Sequence, residues 1–147
     1  MNKITLQNVS KSKNIPNTKQ FKKWLDHLLS RHKKNCEVVI RLVDNEEIVA
    51  LNKKYRKKNK PTNIIAFQFE TPQGVTTNYL GDIVICIPVV KQEAKIQHKT
   101  FNIHLAHLVI HGTLHLLGYD HKTKKMTEEM ETLEIKYLKK LGIANPY

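Results

Sequence analysis

The chain has 147 residues, with 25 lysine or arginine and 13 aspartate or glutamate side chains, which give a formal net charge of +12. This length is enough for one domain with a substantial core, so we expect residues 1–147 to form a single domain. A positive excess of this size indicates anionic partners, either nucleic-acid phosphates or an anionic membrane. No apolar run approaches the roughly 18 residues of a membrane-spanning helix, and residues 1–11 do not resemble a signal peptide, so nucleic acid is favoured over membrane.

The first half of the chain predicts two strand–helix pairs. A strand near residues 4–8 precedes a helix that begins at about Thr18, and Glu37–Val43 alternates in the way that a strand does. Asp44 and Glu47 then stand three residues apart, which is the spacing of a capping box at the start of a second helix. The first helix has an apolar stripe made of Phe21, Trp24, Leu25, Leu28 and Leu29.

The second half predicts two strands near residues 64–69 and 82–87, separated by a polar loop. A helix over residues 88–97 opens on a proline, a very apolar helix covers residues 102–117, and a last helix covers residues 127–141. The core face of the last helix consists of Met130, Leu133, Tyr137, Leu138 and Leu141. Strands and helices thus mix without repeats or linkers, which predicts one α+β domain.

The chain has only two cysteines, Cys36 and Cys86, and each stands in an apolar, strand-like run. This usage predicts buried thiols in a reducing cytoplasm rather than a disulfide framework.

Three histidines at the end of the apolar helix are spaced so that they can meet. His111 and His115 are four residues apart and stack on one helix face, and Gly118 can end the helix in the left-handed conformation and return His121 toward them. Three imidazoles with an open fourth position are typical of a catalytic metal site, whose metal ion lowers the pKa of its bound water toward about 7. Zinc is the default ion, although copper, iron and nickel also accept imidazole ligands.

The other five histidines are not expected to be ligands. His104 and His107 continue the face of the apolar helix, and we interpret them as structural residues or as residues that orient the ligands. His27, His32 and His98 stand among lysines and polar residues and are expected at the surface.

The spacing His-x-x-x-His-x-x-Gly-x-x-His also occurs in the metzincin proteases, but there a glutamate follows the first histidine and acts as general base. Here that position is Gly112. A general base contributes typically ~10²–10⁴-fold, so its loss argues against peptide hydrolysis unless Asp120 or another carboxylate replaces it. Phosphodiester cleavage suffers less, because a metal ion and an arginine can stabilise the developing charge directly.

A basic segment, defined by Lys53, Lys54, Arg56, Lys57, Lys58 and Lys60, holds the most concentrated charge. A solvated helix face would explain a lysine run by itself. The turn at residues 61–63, however, leads into the next strand and could direct Arg56 toward a cleft. Because the planar guanidinium binds a phosphate through two parallel hydrogen bonds, Arg56 is the candidate phosphate-binding residue, and the five lysines are candidate contacts to a nucleic-acid backbone.

Five segments together carry a family resemblance. Residues 106–121, with Leu51-Asn52, Tyr55-Arg56, Pro61-Thr62-Asn63 and residues 80–84, resemble the bacterial YbeY family of metal-dependent endoribonucleases. The resemblance implies a small sandwich with a mostly parallel, mixed four-stranded sheet, about five helices and a metzincin-like three-histidine site. It also implies that His111, His115 and His121 hold the metal ion, that these histidines and Arg56 are catalytic, and that no other cofactor is bound.

The same resemblance implies single-strand-specific cleavage of RNA in ribosomal RNA maturation, notably at the 3′ end of the small-subunit RNA, and in ribosome quality control. The implied partners are single-stranded RNA and the small ribosomal subunit, together with a small-subunit ribosomal protein and an assembly GTPase. Water or the RNA 2′-hydroxyl could be the nucleophile.

Two other functions remain open from the sequence. One is a metalloprotease-like hydrolase with Asp120 or an incoming glutamate as base. The other is a non-catalytic RNA-binding factor for ribosome assembly, in which the metal ion is structural.

Overall fold

The computed structural model describes residues 2–32 and 35–147. The strands over these residues are β1 (Lys3–Asn8), β2 (Glu37–Val43), β3 (Ile64–Gln68) and β4 (Tyr79–Cys86). The helices are α1 (Thr18–His32), α2 (Asn45–Arg56), α3 (Ile87–Ile96), α4 (Phe101–Leu116) and α5 (Lys124–Lys140).

The four strands form one mixed sheet in the spatial order β1-β2-β4-β3. Strand β2 pairs in parallel with both β1 and β4, whereas β3 runs antiparallel to β4 at one edge of the sheet. The parallel pairs need crossovers, and α1 provides the one between β1 and β2. The predicted α+β class, with a mostly parallel four-stranded sheet and five helices in the described chain, is confirmed.

Helices cover both faces of the sheet. Successive side chains of β4 point to opposite sides, so the two faces of this strand contribute to two different hydrophobic clusters. Ile83 and Ile85 belong to the larger hydrophobic cluster, which includes residues of α1 and α4. Val84 and Cys86 face the other way and pack with Ile48 of α2. The predicted apolar stripe of α1 is confirmed, since all its members are buried in the larger cluster: Phe21, Trp24, Leu25, Leu28 and Leu29.

The two cysteines are buried, as predicted, in separate parts of the core. The Cys36 thiol donates to Asn2 Oδ1 at 3.2 Å and lies in the larger cluster. The Cys86 thiol donates to Asn45 Oδ1, also at 3.2 Å, and lies in the smaller cluster.

Helix α4 contacts β3, β4 and three other helices, α1, α3 and α5, and ten of its residues are buried. Its start is capped by the Thr100 hydroxyl, which accepts a hydrogen bond from Ile103 N at 3.2 Å. Gly112 allows a close approach to the sheet, because a Cβ there would lie 2.8 Å from Ile64 Cδ1 and 3.3 Å from Ile83 Cγ2. Helix α4 and the other described helices are all too short or too polar to cross a membrane.

The predicted capping box at the start of α2 is wrong. The Asp44 side chain does not cap the helix; it accepts hydrogen bonds from Ser10 Oγ at 2.5 Å and from Lys11 N at 2.9 Å. Glu47 instead forms an ion pair with Arg41 of β2, with 2.5 Å between Oε2 and Nε. Asp44 therefore binds the segment that follows β1, and Glu47 binds the strand that precedes α2, and the spacing of the two carboxylates reveals neither partner.

Two element boundaries also differ from the sequence prediction. Strand β4 begins at Tyr79, earlier than expected, because its first residues pair with β2. Helix α5 begins at Lys124 because the Thr123 hydroxyl caps it by accepting from Met126 N at 3.1 Å.

Gly81 provides a test of the β3–β4 contact. Its φ is +144°, and a Cβ there would lie 2.1 Å from the carbonyl oxygen of Phe67. We expect Gly81→Ala to lower the free energy of unfolding by roughly 2–4 kcal/mol, because backbone strain and a main-chain clash add together. Urea unfolding of both proteins measures the difference.

Gly74→Ala is the matched control, since Gly74 has a φ of +81° but open space around the position of a Cβ. We expect this substitution to lower the free energy of unfolding by roughly 1–2 kcal/mol, which is the cost of the left-handed backbone conformation alone. If both variants lose the same free energy of unfolding, the close approach of Gly81 to Phe67 does not contribute to the effect.

Candidate metal centre

Helix α4 brings two of the predicted histidines together. His111 and His115 lie one helical turn apart, with 3.2 Å between their Nε2 atoms. Both are partly exposed, although their neighbours on α4 are largely buried. The two ring nitrogens therefore converge at the accessible edge of an otherwise enclosed helix.

The turn after α4 adds the third histidine. Gly118 adopts a φ of +103°, its N–H donates to His115 O at 3.0 Å, and Tyr119 N donates to Leu114 O at 3.0 Å. The chain then reverses, so that the His121 ring lies 5.9 Å from the His111 ring and 5.1 Å from the His115 ring, measured between centroids. The prediction that Gly118 returns His121 to the helical pair is confirmed.

The three imidazoles fit a metal ion. One nitrogen from each of His111, His115 and His121 lies within 4.8 Å of the other two. Two nitrogens that bind one zinc ion at about 2.1 Å lie at most about 4.2 Å apart, so small side-chain rotations are enough to form the site. The donor set is purely imidazole, and among the described residues no fourth side chain joins it, so one coordination position of a tetrahedral ion would be open to another ligand.

A buried carboxylate on α5 supports this site. Glu134 is 1% exposed, and its Oε1 lies 3.2 Å from His111 Nδ1 and 2.7 Å from His107 Nε2. Its Oε2 accepts a hydrogen bond from the Tyr147 hydroxyl at 2.9 Å. Because an ionised carboxylate can only accept, His111 Nδ1 must carry the proton, which leaves the lone pair of Nε2 directed at the other two imidazoles.

The pKa values in this region are consistent with these protonation states. Burial alone would raise the pKa of Glu134, but hydrogen bonds from His107, His111 and Tyr147 outweigh it and lower the pKa to about 2. Burial lowers the pKa of His115, and its histidine neighbours lower it further. Glu134 is therefore a carboxylate and His115 a neutral imidazole, the form that binds metal ions.

Glu134 was not predicted from the sequence. The residue lies on the face of α5 that was expected to be apolar, one turn after Met130 and one turn before Leu138. An acidic residue on a core face is itself a signal, because a buried charge needs a partner. The available partners were His107 and His111, which the sequence had already put on one face of the neighbouring helix.

The remaining five histidines lie in three kinds of surroundings. His104 is buried and pairs with Glu93 of α3 at 3.0 Å, while His107 shares Glu134 with a clustered histidine, so both lie outside the three-histidine cluster as expected. His27 and His98 are exposed, as predicted. His32 is not a simple surface residue, because it is half-buried and its Nδ1 lies 3.0 Å from Leu28 O.

Arg56 lies at the end of α2, where the chain leaves the helix in a left-handed turn at Lys57 with a φ of +56°. The buried Asn52 holds this turn, because its amide donates to Lys60 O at 2.8 Å. Asn63 then anchors the following turn by donating to Glu93 Oε1 at 3.1 Å. These contacts explain how residues 57–63 carry the chain from α2 into β3.

We define the metal-site cleft as the cavity of about 730 Å³ between the end of α2, strand β3 and the turn that follows α4. Its lining includes Arg56, Asp120 and the three clustered histidines. Within the described chain, no carboxylate forms an ion pair with Arg56. The structure thus brings Arg56 and the three histidines into one cleft and leaves the guanidinium available to a ligand.

The lysines of the basic segment lie beside the cleft rather than in it. All five are exposed, and from this segment the cleft is lined by Tyr55 and Arg56. The five are Lys53, Lys54, Lys57, Lys58 and Lys60. We call these five exposed lysines the lysine rim, since they flank Tyr55 and Arg56 in the chain and add positive charge next to the residues that line the cleft.

The structure also accounts for the glycine at the position of the metzincin glutamate. Gly112 faces the sheet, and even a Cβ would press on the side chains of Ile64 and Ile83, so a glutamate would have to displace these side chains. Asp120 does line the cleft, but its Oδ1 accepts a hydrogen bond from His121 N at 2.8 Å. This bond lowers the pKa of Asp120 and makes the carboxylate a weaker base.

Comparisons with known proteins match nearly the whole chain. A family model described as "Endoribonuclease YbeY" matches residues 5–142, which include Arg56 and the three clustered histidines. The chain is 50% identical to the curated protein "Endoribonuclease YbeY" of Colwellia psychrerythraea, over 98% of this chain and 96% of the relative. The solution structure of TM1509 from Thermotoga maritima has the same fold, with a TM-score of 0.60 and 26% identity over 94% of this chain and 92% of that one.

Glu134→Gln tests whether the buried carboxylate orients His111. We expect the zinc affinity to fall roughly 10–100-fold, because the neutral amide no longer fixes the protonated Nδ1 of His111. A competition titration with a chromophoric chelator measures the affinity.

Glu93→Gln is the matched control, since it changes a carboxylate that pairs with His104, away from the three-histidine cluster. This variant should bind zinc as the wild type does. If both variants lose affinity equally, general destabilisation explains the effect and the orienting role of Glu134 is wrong.

Proposed function

The chain belongs to the YbeY endoribonuclease family, and on this premise we propose that it cuts single-stranded RNA in a metal-dependent reaction during ribosomal RNA maturation. In this proposal His111, His115 and His121 hold the metal ion, and Arg56 contacts the scissile phosphate. The main support for this proposal is that all four side chains line the same cleft.

The three histidines are suited to hold a divalent ion, with zinc as the first candidate. When bound, such an ion polarises the phosphate and makes the nucleophile easier to deprotonate. Glu134 keeps the His111 ring oriented, and burial keeps His115 neutral. Either water or the RNA 2′-hydroxyl attacks, and a 2′-deoxy substitution at the cleaved nucleotide distinguishes the two, because it removes only the second nucleophile.

Arg56 is suited to bind the phosphate that reacts. Its guanidinium can donate two parallel hydrogen bonds to phosphate oxygens and so stabilise the negative charge that grows on them in the transition state. Asn52 holds the backbone turn that follows α2, so the backbone from which the Arg56 side chain extends is positioned before the substrate binds.

The charge of the surface supports an RNA strand as the substrate. The lysine rim attracts the backbone without regard to sequence, and the net charge of +12 adds long-range attraction. A flexible single strand can bend its phosphate into the cleft, whereas an A-form duplex is stiff and buries its base edges.

We further propose that the cellular substrate is ribosomal RNA, with cleavage at the 3′ end of the small-subunit RNA and a second role in ribosome quality control. The small ribosomal subunit, one of its proteins and an assembly GTPase are the proposed partners, and the cytoplasm is the proposed compartment. Family membership supports this role.

A protease function has less support. The position of the metzincin base is closed by the packing of Gly112 on the sheet, and the pKa of Asp120 is lowered. Metal-dependent cleavage of a peptide library would favour the protease function over the endoribonuclease function.

Charge reversal at Arg56 tests its role. We expect Arg56→Glu to lower kcat for a labelled single-stranded RNA by roughly 10²–10³-fold while the protein retains its metal, because the phosphate contact is replaced by repulsion and the three histidines are unchanged. The kcat of Arg56→Lys should lie between those of the wild type and Arg56→Glu, since lysine keeps the positive charge but loses the paired hydrogen bonds. His115→Ala should lose both metal and activity.

The matched control is Arg31→Glu, an equal charge change on the exposed last turn of α1. It should keep most of the activity, and all proteins should be purified in parallel because contaminating ribonucleases would act in each sample. Equal cleavage by the wild type, Arg56→Glu and His115→Ala would refute the proposed roles.

Strand preference is tested with one labelled RNA, offered alone and annealed to its complement. We expect rapid cleavage of the free strand and little cleavage of the duplex, because only the free strand can bend into the cleft. The affinity for the free strand should also fall with salt, by about 0.7 in log K per log unit of salt for each phosphate contact. Equal cutting of both forms would contradict the proposal.

A further inference from the structure

An exposed aromatic side chain lies beside the proposed phosphate-binding residue. Tyr55 is 55% exposed, and within the described chain it is the large exposed hydrophobic side chain that lines the metal-site cleft. It immediately precedes Arg56 at the end of α2. An aromatic ring left this open to water, in a cleft with a positive rim, has the chemistry of a nucleobase-binding surface.

The orientation of the Tyr55 ring is supported by its neighbours. Phe67 of β3 contacts it edge to face, with 5.0 Å between ring centroids and an angle of 71° between the planes. The ammonium group of Lys54 lies 5.2 Å from the Tyr55 centroid. Lys54 is exposed and flexible, so an arriving base can displace its ammonium group from the ring toward a phosphate.

We propose that Tyr55 stacks on one unpaired base of the RNA strand whose backbone Arg56 contacts. The proposal rests on the proposed function, because it assigns a subsite to the same substrate. Consecutive residues at the end of one helix then bind the two parts of a nucleotide: the guanidinium binds the phosphate, and the phenol ring binds the base.

This subsite gives a physical reason for the choice of single strands. In a duplex both faces of each base are already stacked on neighbours, so Tyr55 gains a contact only if a pair is opened. A single strand offers an unpaired base directly. Because every base has an aromatic face, the subsite selects for strandedness and tolerates any sequence.

A second exposed aromatic residue provides a matched control. Phe69 is 40% exposed and packs on Tyr79 with 4.9 Å between ring centroids, but it does not line the metal-site cleft. Substitution of Phe69 removes an exposed aromatic ring of similar size without changing the proposed subsite.

The test compares two probes of equal charge. One is a fluorescein-labelled oligoadenylate, and the other is a labelled strand of the same length made of abasic ribose phosphates. Fluorescence anisotropy gives the dissociation constant of each probe, and gels of each sample establish that the probe is intact. The proteins are the wild type and the variants Tyr55→Ala, Tyr55→Phe, Phe69→Ala and Lys53→Ala, each checked for its unfolding temperature.

We expect Tyr55→Ala to weaken binding of the oligoadenylate roughly 5- to 100-fold and binding of the abasic strand less than about twofold. Tyr55→Phe should bind both probes as the wild type does, because the ring is kept. Lys53→Ala should weaken both probes by the same factor, and Phe69→Ala should weaken neither. If Tyr55→Ala affects both probes equally, or neither, the stacking proposal is overturned.

Steady-state cleavage by the same proteins separates this proposal from the proposed function. If the wild type cuts RNA but Tyr55→Ala has an unchanged KM, the stacking subsite is wrong and the endoribonuclease assignment is unaffected. If the wild type does not cut RNA, the proposed function fails, while the probe comparison still decides whether Tyr55 binds a base. For a stacking role KM should rise while kcat changes less than about twofold, because the contact is made equally in the ground and transition states.

Discussion

The burial of helix α4 is the constraint on which the site depends. The helix packs against the sheet and three other helices, and Gly112 brings it so close to β3 and β4 that a side chain at that position would clash. A helix held on so many sides cannot rotate, so the two histidines at its accessible edge have fixed directions. The site needs this rigidity, because three imidazoles must converge on one point.

Glu134 extends the same constraint to α5. An unpaired carboxylate at this depth would cost several kcal/mol, so the hydrogen bonds from His107, His111 and Tyr147 are a condition for packing α5 on α4. The interaction that stabilises the helix pair therefore also sets the protonation of a candidate metal ligand. The Glu134 carboxylate thus serves both the packing of α5 on α4 and the protonation of His111, and a substitution of this residue affects both.

The parts of the site that were predictable are those that local geometry determines. The convergence of His111, His115 and His121 follows from one helical turn and one glycine, so spacing was sufficient. Arg56 could be assigned to a cleft only through the family resemblance and the turn after it, since its approach to the histidines depends on the order of the strands. Glu134 was missed because the spacing of residues within α5 does not show which of them face the histidines of α4. That depends on how the two helices pack in the folded protein. The predicted capping box failed for the same reason, because the true partners of its carboxylates lie elsewhere in the fold.

The cleft is made of pieces that are far apart in the chain, and this has a consequence for its biosynthesis. Arg56 is synthesised well before the histidines, and Glu134 after them, while α4 packs on the strand pair formed by β3 and β4. Until α4 and the turn after it have been synthesised, a nascent chain therefore lacks the histidines that complete the cleft. An enzyme that cuts RNA is translated from RNA, and this arrangement delays its activity until the ribosome has passed the codons for nearly all of the fold.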